Sequence, residues 1–79
     1  IGSVVGQTTL VAGTKTITIT GLTTGGKVVL TRNSQGGAVA TTVQYEGTCT
    51  TNTLTITAEV AAGTINVSDT SVLTYVVYP

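Results

Sequence analysis

Threonine and aliphatic residues alternate along this chain with a period of two. Ile17 and Ile19 interleave with Thr14, Thr16, Thr18 and Thr20. Leu54, Ile56, Ala58 and Val60 interleave with Thr53, Thr55, Thr57 and Glu59. Val39, Thr41, Val43 and Tyr45 interleave with Ala38, Ala40, Thr42 and Gln44. Successive side chains of an extended backbone point to opposite faces, so each run reads as a strand with one apolar and one polar side. Two segments, Lys27 to Arg32 and Val72 to Tyr78, are apolar on both sides. Such a strand is covered twice, by the core on one face and by a neighbour or second subunit on the other. No segment carries a helical period.

Turn residues separate these runs: Gly13, Gly21, Gly25-Gly26, Asn33 to Gly37, Glu46-Gly47, Ala61-Ala62-Gly63 and Ser68 to Ser71. In the last of these the side chains can bond their own backbone. Strands are expected over 8–12, 14–20, 27–32, 38–46, 53–60, 64–67 and 72–78, with a connection running from Glu46 to Asn52. Val11-Ala12-Gly13-Thr14 echoes Ala61-Ala62-Gly63-Thr64, as repeated use of a good strand–turn–strand junction does. Short strands with glycine turns predict an all-β fold, an antiparallel β-sandwich of jelly-roll type with about seven strands. A single β domain is expected over 1–79. Its expected core is Leu10, Ile17, Ile19, Leu30, Val39, Val43, Leu54, Ile56, Ile65, Val67, Leu73, Tyr75 and Val77.

A domain of 79 residues buries a modest share of its surface and needs support from disulfides, a metal or association. The one cysteine, Cys49, excludes an internal disulfide. There is no histidine, and the acids are Glu46, Glu59 and Asp69, so a buried transition-metal site lacks ligands and no cofactor is expected. Association remains. Charged residues make up 8% of the chain and the net charge is zero. A neutral threonine surface projects no long-range field, which argues against nucleic acid and anionic membrane as partners. No apolar run approaches the roughly 20 residues of a membrane-spanning helix. The chain begins at Ile1 and lacks methionine, and reads as part or fragment of a longer protein.

The residues that could carry chemistry are few. Without histidine, Ser-His-Asp and Cys-His arrangements are excluded. Lys15 and Lys27 read as surface lysines. Glu46 and Glu59 could form a glycosidase pair, but read as solvated surface charges. The glycine pairs precede no helix and match no phosphate loop. Cys49 reads as a small core residue rather than a reactive thiol. Asn66-Val67-Ser68 fits the glycosylation acceptor pattern and reads as chance. A threonine face at strand spacing can order water as in ice-binding solenoids. With only two strands carrying a long array, however, it reads as ordinary strand composition. Of the aromatics Tyr45, Tyr75 and Tyr78, Tyr45 is the candidate ligand contact, with core capping as its alternative. Val72, Val76 and Tyr78 form the second apolar face of the last strand and are the candidate subunit interface. The expected function is non-catalytic.

The string itself resembles a family. Leu10-Val11-Ala12-Gly13-Thr14 opens a strand, and Lys27-Val28-Val29-Leu30-Thr31-Arg32 and Gly36-Gly37-Ala38 follow. Then come Ala62-Gly63-Thr64, Ser68-Asp69-Thr70-Ser71 and Leu73-Thr74-Tyr75-Val76-Val77. This order resembles small β-sandwich domains of bacteriophage virion proteins: head fibres, capsid decoration proteins, and tail-fibre or tail-spike domains. The resemblance spans nearly the whole chain. It implies a non-enzymatic structural module at the virion surface, commonly a homotrimer in contact with capsid or fibre proteins. It also implies an alternative, a host-adhesion module that binds glycan. The segment Thr41 to Asn52 departs from the plainer turn of such domains.

Overall fold

The computed structural model describes residues 1–79 and is all-β, with two antiparallel sheets packed as a small sandwich. The strands are β1 (Val4–Thr9), β2 (Thr14–Thr18), β3 (Lys27–Ser34), β4 (Gln44–Thr50), β5 (Thr53–Ala61), β6 (Thr64–Ile65) and β7 (Val72–Tyr78). One sheet has the order β1-β7-β3. The other has the order β2-β5-β4, with the short β6 also pairing β5.

Period two decides which side chains meet between the sheets. Leu54, Ile56 and Ala58 of β5 are fully buried, and so are Leu73 and Val77 of β7. With Leu10, Ile19, Leu22 and Cys49 they form one core, against which Val4, Ile17, Val28, Leu30, Val43, Tyr45 and Tyr75 pack. Each fully buried large aliphatic contributes about 1.5–3 kcal/mol by leaving water. Cys49 is a buried free thiol within that core, as its position suggested. The Tyr75 ring lies over Gly6, its cross-strand partner, where a Cβ would overlap the ring.

Several expectations are corrected. The first strand is not 8–12 but Val4–Thr9, because Leu10 bonds on to Ser71 and Val11 turns the chain. The strand expected over 38–46 starts only at Gln44, and the connection expected over 46–52 is strand β4. Its hairpin to β5 turns on two residues, with Asn52 at φ 55°. Asn52 then anchors the loop after β2: its carbonyl accepts from Ile19, its side chain accepts from Gly21, and its own N–H donates to Leu22. Those bonds draw Leu22 into the core, a residue the alternation did not mark. Val67 is 67% exposed and leaves the core, because the chain after β6 is a turn. Val39 and Ile65 are only half-buried and lie outside the core cluster.

Candidate functional site

The outward face of the β1-β7-β3 sheet follows from the register. Val5, Val76 and Val29 stand opposite one another on three adjacent strands. Beside them, Tyr78 pairs with Lys27, and Val72 pairs with Thr9 and Ser34. Val5 is 69% exposed, Val29 is 54% exposed and Tyr78 is 51% exposed. Val76, the middle of the row, is half-buried by its own neighbours, and Val72 is half-buried at the strand's start. The sequence singled out Val72, Val76 and Tyr78. Val5 and Val29 join them only because β1 and β3 flank β7, a pairing that no local pattern announces. Exposed apolar side chains brought together in this way form a candidate contact surface.

The opposite face of the molecule is threonine. Three in-register rows cross β2, β5 and β4: Thr18–Thr53–Thr50, Thr16–Thr55–Thr48 and Thr14–Thr57–Glu46. Three strands therefore carry the array, not two. At its end Glu46 and Glu59 lie at the surface, as the reading of solvated charges expected, and their carboxyls approach each other. Glu59 accepts from the Gly63 N–H at 2.8 Å and from the Thr57 hydroxyl at 3.0 Å. The hydrogen bond that Glu46 donates to Glu59 and the negative charge of Glu59 raise the Glu46 pKa, with a smaller push from desolvation. The Glu59 pKa is lowered by the bond it accepts from Glu46 and then by those from Gly63 and Thr57. Glu46 is thus the carboxyl that holds a proton more readily.

At one end of the sandwich a polar knot closes the gap between the sheets. Asp69 is 0% exposed. Its Oδ1 accepts from the Ser71 N–H and its Oδ2 accepts from the Tyr45 hydroxyl, both at 2.8 Å. The Ser71 hydroxyl oxygen accepts from the Gly36 N–H at 3.1 Å, and Arg32 donates to the Tyr45 hydroxyl at 3.4 Å. Desolvation pulls the Asp69 pKa upward. The bonds from Ser71 and Tyr45 and the charge of Arg32 outweigh it, and the net shift is downward. No buried side-chain donor or acceptor is left without a partner. The turn chemistry of Ser68 to Ser71 was legible in sequence. The burial of Asp69 was not, since it depends on a tyrosine 24 residues earlier in the chain.

Tyr45 thus caps the core and also lines an open depression of about 510 Å³ with Arg32, Gln35, Val39, Ala40, Thr41 and Val43. The outer part of this depression is the segment expected to be a strand and found as a loop. Comparison with family models, with curated proteins and with solved structures finds no match to this chain.

Proposed function

We propose that this domain is a non-catalytic structural module of a bacteriophage particle, displayed at the virion surface and associating with copies of itself as a trimer and with capsid or fibre proteins. The observation that carries the reading is the Val5–Val76–Val29 row with Tyr78, an apolar patch on a domain whose opposite sheet face is lined by threonine. A neutral surface also makes contacts that salt hardly weakens, which suits permanent assembly. The order of strand and turn motifs supports the choice of particle. The non-catalytic part has its own support: the chain has no histidine, and of its three acids Asp69 is fully buried.

Light scattering at micromolar concentration tests the association. The expected mass is that of three or more copies, little changed between low and high salt. Val76→Lys puts a charge in the middle of the patch and should weaken association by at least about tenfold, the effect of losing a central contact. The fold should survive, because Val76 points away from the core. A folded wild-type monomer would refute the reading.

A second reading, glycan adhesion, is favoured by the depression at Tyr45. Arg32→Ala is the cleaner probe there, because Tyr45 is tied to the buried Asp69. On a glycan array, adhesion predicts binding that falls at least tenfold in this variant. No binding, or binding indifferent to the change, removes the depression from the function.

A further inference from the structure

The two sheets have four lateral edges, and three of them are guarded. Strand β2 is five residues long and carries Lys15 on the same side as Ile17, an inward-pointing charge. Strand β3 carries Lys27 and Arg32, and its pairing is interrupted by a bulge between Arg32 and Ser34. Strand β4 carries Glu46, and Val28 of β3 packs over its Gly47. Charges, bulges and cover are the devices by which edge strands avoid pairing with another chain.

Strand β1 has none of them. Its sequence is Val-Val-Gly-Gln-Thr-Thr, without charge or proline, and its register to β7 is unbroken over all six residues. The Leu10 N–H donates to the Ser71 carbonyl, one step along that same register. In an antiparallel ladder the bonding direction alternates, so Val4, Gly6 and Thr8 turn their backbone groups toward β7. Val5, Gln7 and Thr9 therefore turn their N–H and C=O groups outward, where no other strand of the chain pairs with them.

We infer that β1 pairs antiparallel with β1 of a second copy, about a two-fold axis at Gln7. The edge is self-complementary in that register. Gln7 faces Gln7 of the other copy, and Val5 faces Thr9. Each of the three outward residues offers one donor and one acceptor, and no like charges meet. The two three-stranded sheets then become one sheet that crosses the axis. This inference rests on the reading that copies associate and adds a second contact to it. The apolar face joins three copies, and the β1 edge joins two such sets.

Native mass spectrometry of four proteins separates the contacts. Gln7→Pro removes the central outward N–H and leaves the β1–β7 ladder intact, since proline is tolerated where an edge N–H faces solvent. Gln7→Lys keeps that N–H but sets two lysines opposite each other across the axis, which is destabilising. Either variant should halve the copy number of the wild-type particle. Val76→Lys should leave pairs. A wild-type copy number retained in both Gln7 variants overturns the edge contact, whatever Val76→Lys does. A loss in the Gln7 variants with Val76→Lys unchanged keeps the edge and removes the apolar face.

Discussion

Asp69→Ala should leave the domain unfolded, or close to it, at room temperature. The carboxylate is fully buried and bonded by the Ser71 N–H and the Tyr45 hydroxyl. Removing the acceptor leaves the Ser71 N–H and the Tyr45 hydroxyl without it, at about 1–3 kcal/mol for each buried donor. A domain has about 5–15 kcal/mol in all, and a small one sits at the low end. Urea unfolding followed by circular dichroism reads the loss as a collapsed midpoint. The same group sets an acid limit. An unfolded Asp titrates near 3.8, and the folded value lies below it. The stabilisation is therefore complete above the unfolded value and is lost as pH falls through the folded one. Asp69→Asn keeps an acceptor for Ser71 but cannot titrate, so its midpoint should be lower at neutral pH and flatter through this acid window. An alanine variant with a wild-type midpoint would show that the knot contributes nothing.

Gly13→Ala should be nearly as damaging, and Gly63→Ala should not, although the two sit in matching Ala-Gly-Thr junctions. Both glycines have positive φ, 76° and 78°. A side chain there costs about 1–2 kcal/mol at either site. The surroundings differ. Gly63 has open space where a Cβ would stand, whereas at Gly13 a Cβ would overlap the carbonyl of Asn66. Gly13 is also a junction of the backbone network, donating to the Asp69 carbonyl and accepting from the Ala58 N–H. Its turn bends through Ala12 at φ 51° as well, so both central residues are left-handed, the twist that suits a tight hairpin. Overpacking against backbone adds about 1–3 kcal/mol. Thermal melts should place Gly13→Ala about 10 °C below Gly63→Ala, given about 4–8 °C per kcal/mol in a domain of this size. Equal melting temperatures would mean that the Asn66 segment simply moves aside.

These two sites show what could be read from the chain and what could not. Alternation placed Ile56, Leu73 and Val77 inside and Thr55 and Val76 outside, because period two is a local property of extended backbone. It failed between residues 38 and 50. There Val39-Ala40-Thr41-Thr42-Val43 also alternates, but the chain is a loop and the strand begins at Gln44. Gly47 contributed to that error. It reads as a turn residue, yet it lies within β4 because Val28 needs the space a Cβ would take. The face around Val76 was half legible: β7 announced itself, while Val5 and Val29 needed strand order. The Asp69 knot and the Glu46–Glu59 contact were not legible, since each depends on residues far apart in sequence.

If copies associate as proposed, the outward face of the β1-β7-β3 sheet is covered by other copies in solution. Methyl NMR with a soluble paramagnetic probe measures this directly. Val5, Val29 and Val76 should be shielded from the probe at micromolar concentration and become accessible on dilution, while Val67 stays accessible throughout. The same strong broadening of Val29 and Val67 at every concentration would contradict the proposed association.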